Sequence, residues 1–341
     1  MPLNFTHVAD RVALAAEHQM AGRFTEAETL YVEALQLNAA DVRALRGMGM
    51  LAFQLGRLLV AEQFLRRALD LENDPATWTN LGDVYATLGR GDPALASYER
   101  ACQAHADYLP AMNNAAVVLF LSGNNHRAAE LWSRIVEVAT ARGDPASLEL
   151  AGNACNNLGE ARLQAADTEE ACRRHRAASQ MLPQHPGVAS NYVRDLSYVA
   201  GIDPQQVRRE ADAWWPAFTA GISPLAVRRD KDPERPLRVG FVSPDFREHA
   251  VTHFLLPLFE HHDRDRWEFT AYAAGSREDA FTARLSGLVE RWRKISAARD
   301  PAVAQQVDAD QIDILIDLAG HTGENRLRIF AYQAAPLQGT V

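Results

Sequence analysis

Two histidines in this sequence follow apolar, strand-like runs. His249 comes shortly after LRVGFV, and His321 comes shortly after DILIDL. An imidazole has an ordinary pKa of about 6.5, so near neutral pH it can accept a proton from a hydroxyl group or orient a polar substrate. Either task depends on the elements that place these side chains.

The segments around the two histidines alternate between strand-like and helical patterns. LRVGFV, FTAYAA, RKI, DILIDL and QGTV are typical of short strands, and segments with helical spacing separate them. Alternation of this kind predicts a parallel sheet. Open parallel sheets bind ligands at the carboxyl ends of their strands. We therefore predict that His249 and His321 point into one cleft at this edge.

The segment after His249 predicts an amphipathic helix packed on the sheet. Its apolar residues fall at helical spacing: Val251, Phe254, Leu255, Leu258 and Phe259. We expect His261 and His262, at the far end of this helix, to be solvated. His249 and His253 have the spacing of two metal ligands on a helix, but no nearby carboxylate completes a recognised zinc motif, so no metal is expected.

The first half of the chain repeats itself every 33 or 34 residues. Glycines at positions 22, 56, 89 and 123 recur in this register, and an alanine follows each of them by five residues. The third copy contains WTNLGDVY, Trp78 to Tyr85, which carries the tetratricopeptide signature. Five helical hairpins are therefore predicted, and the small Gly82 and Ala94 should let the helices of the third hairpin approach closely. In the fifth, degenerate copy we expect His175 to pack between helices.

These patterns predict an α-solenoid of tetratricopeptide repeats followed by an α/β, Rossmann-like lobe. The repeats are assigned to residues 8–186 and closing helices to 187–222. A linker is assigned to residues 223–236, and the lobe to 237–341.

The repeats also suggest a binding surface, because a repeat solenoid presents a concave groove to an extended or helical partner. Asn80, Asn113 and Asn156 recur in repeat register on the first helices of the hairpins. Their amides can bind a peptide backbone. A solvated polar position is the alternative interpretation, and the sequence leaves both open.

The composition limits the other classes of partner. The formal charge of −9 and the pI near 5.7 argue against general nucleic-acid binding. No apolar run approaches the ~20 residues of a membrane-spanning helix, and the N-terminus lacks a secretory-signal pattern, so we expect no membrane partner and a cytoplasmic protein. The cysteines at positions 102, 155 and 172 lack CxxC spacing and are expected to be core thiols.

Taken together, the motifs resemble a known family. The repeats, the closing segment and the blocks LRVGFVSPDFREHAVTHFLLPLFEHHD, WEFTAYA, DILIDLAGHTGENRL and AAPLQG closely resemble the bacterial protein O-linked N-acetylglucosamine transferases of the tetratricopeptide class. The resemblance implies a GT-B catalytic region with two Rossmann-like lobes, of which this chain would hold the first, incomplete at Val341. It implies inverting transfer of N-acetylglucosamine from UDP-GlcNAc to Ser or Thr of an acceptor protein that the repeats recruit.

The resemblance also implies roles for single residues. His249 matches the active-site histidine of the family's DFxxH block, as a base or an orienting group, although Ala250 stands where many relatives have proline. His321 and Thr322 match a loop that lines the same cleft, and His253 is assigned with them to substrate binding. No cofactor or metal is implied. Two acidic triplets, at residues 263–265 and 308–310, resemble the metal-binding pair of some nucleotide-sugar enzymes, but such triplets often arise by chance.

The chemistry would be divided between the two lobes. The second lobe of these enzymes carries most contacts to the uridine diphosphate, including a lysine, so we expect no transfer by this chain alone. A tetratricopeptide adaptor with a vestigial α/β domain, active only in protein binding, is the alternative that the sequence leaves open.

Overall fold

The structure is a computed structural model and describes residues 7–227, 232 and 234–340. The chain divides into two compact units, Met1–Leu182 and Pro183–Val341. The boundary lies close to the predicted end of the repeats at residue 186. Part of the predicted linker over 223–236, and the last residue of the predicted lobe, lie outside the described residues.

The first unit is helical. Its helices pack in consecutive pairs, from α1 with α2 to α9 with α10, which confirms the predicted repeat hairpins. The helices are α1 (Val8–Met20), α2 (Phe24–Leu37), α3 (Val42–Gln54), α4 (Leu58–Leu69), α5 (Pro75–Thr87), α6 (Gly91–Ala104), α7 (Leu109–Leu121), α8 (Asn125–Arg142), α9 (Pro145–Gln164) and α10 (Thr168–Met181).

Small residues set the spacing of the helices within a hairpin. A Cβ atom on Gly82 would lie 2.4 Å from Cε1 of Tyr98, and Ala94 is completely buried in the same contact region. The fifth hairpin replaces the aromatic ring with His175, which is also buried, and its Nε2 lies 2.9 Å from the carbonyl oxygen of Asn156. The predicted packing of His175 between helices is confirmed.

The second unit combines two helices with a parallel α/β lobe. Its strands have the order β3-β2-β1-β4-β5, and every neighbouring pair is parallel. The elements are α11 (Pro186–Leu196), α12 (Pro204–Phe218), β1 (Leu237–Ser243), α13 (Ala250–His261), β2 (Trp267–Ala273), α14 (Ala280–Ser286), β3 (Arg291–Lys294), α15 (Asp300–Ala309), β4 (Ile314–Asp317), α16 (Arg328–Ala331) and β5 (Leu337–Thr340). The predicted fold class, repeats followed by a parallel sheet lobe, is confirmed.

Helices α11 and α12 belong to the same compact unit as the sheet. The sequence suggested that they close the last repeat. Amphipathic spacing shows that such a helix has a face to bury, but it does not show which neighbour covers that face.

Helix α13 packs on the sheet, but it buries fewer of its apolar side chains than their spacing predicted. Leu255 and Phe259 are buried, and the Phe259 ring lies 5.2 Å from that of Phe241 on β1. Phe254 and Leu258 are 84% and 45% exposed. The expectation that all five apolar residues pack on the sheet was therefore wrong, because a flat sheet contacts one stripe of a helix and these two side chains lie beside that stripe.

The end of α13 also differs from the expectation. His261 is exposed as predicted, but the side chain of His262 is only 1% exposed. The chain leaves the helix in an extended conformation at His262, and this turn stacks its ring on Phe269 of β2 with 4.1 Å between ring centroids. The prediction that His262 is solvated was wrong.

Candidate functional site

A cavity of about 360 Å³ lies where the loops after β1, β2 and β4 meet. These loops follow the carboxyl ends of neighbouring parallel strands, which is where such sheets bind ligands. The polar side chains around the cavity come from all three loops: Asp245, Arg247, His249, Arg277, Thr322 and Glu324.

The loop after β1 holds His249 at the start of α13. His249 is the N-cap residue, in an extended conformation, and its Nδ1 accepts a hydrogen bond of 3.4 Å from the backbone N–H of Val251. A carboxylate oxygen of Asp245 lies 4.0 Å from the same Nδ1. Both partners of the ring face Nδ1, so Nε2 is the nitrogen left for a ligand, and 39% of the side chain is exposed.

Hydrogen bonds fix the shape of this loop. The buried hydroxyl of Thr252 shares its one proton between the carbonyl oxygens of Asp245 and Arg247, at 3.0 and 2.6 Å. The Arg247 guanidinium in turn donates to the Asp245 carboxylate at 3.0 Å. The backbone N–H of Glu248 also donates to the Asp279 carboxylate at the start of α14, at 2.7 Å, so bonds within the loop and to α14 set the position of His249.

The loop after β4 is built around the buried carboxylate of Asp317. Its oxygens accept hydrogen bonds from the backbone N–H groups of Ala319 and Gly320, at 3.3 and 2.6 Å, and from the Thr340 hydroxyl at 2.9 Å. Burial raises the pKa of the Asp317 carboxyl despite these bonds. The turn passes through Gly320 at φ +54° and brings Thr322 to the cavity.

The His321 side chain contacts the helices of its unit. Its Nδ1 shares a hydrogen bond of 2.9 Å with the Ser190 hydroxyl on α11, and its ring meets the Trp214 ring on α12 edge to face, with 5.4 Å between centroids. Burial, followed by the nearby Arg194 cation, lowers the pKa of His321. The structure thus brings His249 and Thr322 to one cavity. The prediction that the His321 side chain points into the same cleft was wrong, because this side chain packs against α11 and α12 and is not among the residues that line the cavity.

Comparison with known proteins finds similarity in both parts of the chain. Residues 223–340, which contain the sheet lobe, match the model for glycosyl transferase family 41. We call this segment the family 41 region. Residues 75–108 match the tetratricopeptide repeat, and the family resemblance predicted from the sequence is confirmed for these segments.

Three individual proteins show how similar the chain is to known proteins, in sequence or in structure. The probable UDP-N-acetylglucosamine–peptide N-acetylglucosaminyltransferase SPINDLY of Arabidopsis thaliana is 31% identical over 157 residues, which are 45% of this chain and 17% of that protein. The structure of an O-GlcNAc transferase mutant of Thermobaculum terrenum aligns with 98% of this chain and 50% of its own, at 26% identity and a TM-score of 0.43. The pilF protein of Pseudomonas aeruginosa aligns with 61% of this chain and 88% of its own, at 14% identity and a TM-score of 0.50.

The curated relatives are much longer than this chain. The chain spans less than a fifth of the length of the curated relatives that it matches. Within the described residues, no helix combines the length and the apolar character that crossing a bilayer requires.

His253 lies apart from the cavity in the family 41 region. It is exposed on α13, one turn after His249, and its ring meets that of Phe281 on α14 at 5.3 Å between centroids. It is not among the residues that line the cavity. Its assignment to substrate binding, like those of His321 and Thr322, stays a prediction.

The sequence reasoning missed two arginines of the family 41 region. Arg247 and Arg277 line the cavity, and within the described part of the chain Arg277 forms no ion pair. A signal was available, since both arginines lie within five residues after predicted strands that end at the ligand-binding edge. Guanidinium groups at this place can bind an anionic ligand.

Neither acidic triplet forms a metal site in the described residues, where no group of metal ligands is found. Asp310 forms an ion pair of 2.6 Å with Arg293 and accepts a hydrogen bond of 2.9 Å from the buried Tyr272 hydroxyl. Asp263 accepts a hydrogen bond from the backbone N–H of Asp265 in the turn after α13. These carboxylates have structural partners.

The three asparagines of the repeats differ in their surroundings. Asn80 lines a cavity of about 520 Å³ between α1, α3 and α5, together with Val12 and Arg46. The side-chain oxygen of Asn113 accepts a hydrogen bond of 3.3 Å from the indole N–H of Trp132, a buried residue of α8. Asn156 is half-buried on α9. Their common role in peptide binding stays a prediction, and Asn113 has a structural role besides.

Proposed function

We propose that this chain belongs to a protein O-GlcNAc transferase, which moves N-acetylglucosamine from UDP-GlcNAc to Ser or Thr hydroxyl groups of proteins. One observation carries the proposal: His249 lies at a ligand-binding sheet edge, with Nδ1 turned toward its own loop and Nε2 left for a ligand, inside a segment that matches glycosyl transferase family 41. The named relative is itself a probable UDP-N-acetylglucosamine–peptide transferase.

The proposed reaction is a displacement at the anomeric carbon. The acceptor hydroxyl oxygen forms the new bond, the bond from the same carbon to the diphosphate oxygen breaks with inversion, and the hydroxyl proton passes to Nε2 of His249. This step uses the tautomer that carries the ring proton on Nδ1, facing Asp245, in place of the one in which Nδ1 accepts from the Val251 N–H. Asp245, which faces Nδ1 at 4.0 Å, stabilises the positive charge that the ring then carries. The electron pair of the broken bond leaves with the diphosphate.

We propose that fixed cationic and backbone donors, without a metal or other cofactor, stabilise the departing diphosphate. Arg277 is the cavity cation for which the described residues provide no ion-pair partner, whereas Arg247 already donates to Asp245. A preorganised donor of this kind typically contributes on the order of 3 kcal/mol to transition-state stabilisation. Donors on a second lobe would act in addition.

The repeats would recruit the acceptor protein. Tetratricopeptide repeats bind proteins in the groove formed by their first helices, and the cavity that contains Asn80 lies between three such helices. We place the whole protein in the cytoplasm, with a nucleotide sugar and acceptor proteins as its partners.

A transfer assay on the natural gene product tests this function. Purified protein is incubated with radiolabelled UDP-GlcNAc and acceptor proteins, with and without a chelator. We expect labelled Ser or Thr that persists in chelator. Binding of partner proteins without binding of UDP, measured by calorimetry, would instead support the adaptor function.

A further inference from the structure

A buried polar contact joins α11 to the cavity loop of the family 41 region. The Ser190 hydroxyl and Nδ1 of His321 share a hydrogen bond of 2.9 Å, although 131 positions separate the two residues in the sequence. Ser190 is only 3% exposed. When the partner of a buried hydroxyl is removed, the unsatisfied group lowers the free energy of unfolding by more than a typical hydrogen bond contributes. This pair therefore holds the two segments together.

Aromatic rings and an arginine surround the hydrogen bond between Ser190 and His321. The Trp214 ring meets the imidazole edge to face and packs on Phe218 with 4.2 Å between centroids, so aromatic surface surrounds one side of the pair. Arg194 lies near the imidazole, and its guanidinium donates to the buried Asp195 carboxylate at 2.9 Å. Within the described residues, Ser190 is the hydrogen-bonding partner recorded for the His321 ring.

The same loop is fixed at both ends by other bonds. At the start of the loop, the Asp317 carboxylate accepts hydrogen bonds from the backbone N–H groups of Ala319 and Gly320. At its end, Arg326 donates to the Asp300 carboxylate and to the carbonyl oxygens of Ile295 and Ala298, each at 2.8 Å. Between these anchors the chain passes through His321 and then directly through Thr322, Gly323 and Glu324, which line the cavity.

We propose that Ser190 is a positioning residue that acts through His321 to hold residues 322–324 against the cavity opposite His249. In this arrangement α11 and α12 are part of the scaffold of the site, as well as a connection to the repeats. The role in transfer rests on the proposed function, but the positioning of the loop does not. A shift of about 1 Å in a group that contacts the substrate can cost roughly 100-fold in rate.

The primary experiment measures backbone hydrogen exchange by mass spectrometry and is independent of activity. In Ser190→Ala we expect peptides that cover residues 320–324 to exchange at least about tenfold faster, while peptides that cover the loop after β1 keep their rates. Ser197→Ala is the matched control. It also removes a hydroxyl, at the end of the same helix, and this hydroxyl donates to the carbonyl oxygen of Arg194 and not to His321. Unchanged exchange of residues 320–324 in Ser190→Ala overturns the inference.

A second pair of variants keeps the test decisive if Ser190→Ala does not fold. His321→Asn retains a neutral hydrogen-bonding group near the position of Nδ1, whereas His321→Ala removes it. We expect slower exchange of residues 320–324 in His321→Asn than in His321→Ala. Equal rates in these two variants overturn the inference.

Transfer kinetics on the natural gene product then distinguish this inference from the proposed function. We expect Ser190→Ala to lower kcat by about tenfold with a donor KM within twofold of wild type, and Ser190→Thr, which restores the hydroxyl, to recover most of the loss. If the wild-type protein transfers no sugar, the proposed function fails and the exchange measurement still decides the positioning role. If the wild-type protein is active and Ser190→Ala changes neither exchange nor kcat, the positioning role fails alone.

Discussion

The imidazole of His249 and the carboxylate of Asp245 face each other across 4.0 Å at the start of helix α13. The carboxylate lies on the side of Nδ1, so the ring is oriented with Nε2 away from its own loop. When the ring proton is on Nδ1, facing Asp245, Nε2 can accept a second proton while the carboxylate stabilises the resulting positive charge.

His249→Ala is therefore expected to lower sugar transfer by the natural gene product by about 100-fold or more, the scale of a positioned acid–base group. The melting temperature should stay within a few degrees, because the side chain is partly exposed and lies off the buried stripe of α13. His261→Ala, an exposed histidine of the same helix, is the matched control. Normal turnover in His249→Ala would contradict the assignment.

Asp245→Asn keeps the shape of the carboxylate and removes its charge. Two unit charges 4 Å apart interact by about 1 kcal/mol in water and by more in a cavity, so we expect kcat to fall roughly fivefold or more. The exposed Asp265→Asn in the turn after α13 controls for the loss of a negative charge. A kcat equal to that of wild type would show that Asp245 serves only the loop.

Ala94→Leu tests the repeat packing. Ala94 is completely buried in the third hairpin, and a larger side chain should overpack it and lower the free energy of unfolding by about 1 to 3 kcal/mol. The same change at Ala96, an exposed position of α6, should have little effect. Equal unfolding midpoints in urea for the two variants would argue against this packing.

Asn113 and Asn80 should respond differently to replacement by alanine. Asn113→Ala leaves the buried indole N–H of Trp132 without its acceptor, so we expect a loss of roughly 1 kcal/mol in the free energy of unfolding. Asn80→Ala should leave stability within about 0.5 kcal/mol and weaken acceptor-protein binding a few-fold. Calorimetry and urea unfolding measure the two effects, and equal binding by Asn80→Ala and wild type would indicate a solvated position.

His321 should make stability depend on pH. Its pKa in the folded protein is lowered by burial and by Arg194, which is itself paired with Asp195. As pH falls below about 6.5, the unfolded chain binds a proton that the folded His321 does not, so stability decreases between that pH and the lowered pKa. His321→Asn should reduce the difference in urea midpoint between pH 7.5 and 5.5. The exposed His253→Asn should leave that difference unchanged, and an equal reduction in both variants would contradict the prediction.

Much of the fold follows from local patterns in the sequence. The 33- or 34-residue repeat, the close approach at Gly82 and the buried position of His175 were predicted, because a regular period reports which residues share a face of one helix. The alternation of strands and helices likewise predicted a parallel sheet and the edge at which the loop of His249 meets the loop after β4. It named His321 as the residue of that second loop that faces the cleft, whereas Thr322 lines the cavity.

The tertiary structure decided what covers each of these faces. Apolar spacing in α13 did not separate buried Leu255 from exposed Phe254, and it gave no reason for His262 to stack on Phe269. The direction of the His321 side chain depends on Ser190, 131 positions earlier in the chain. Periodicity describes one element at a time, whereas burial and hydrogen bonding of a side chain depend on the neighbour that the fold brings to it.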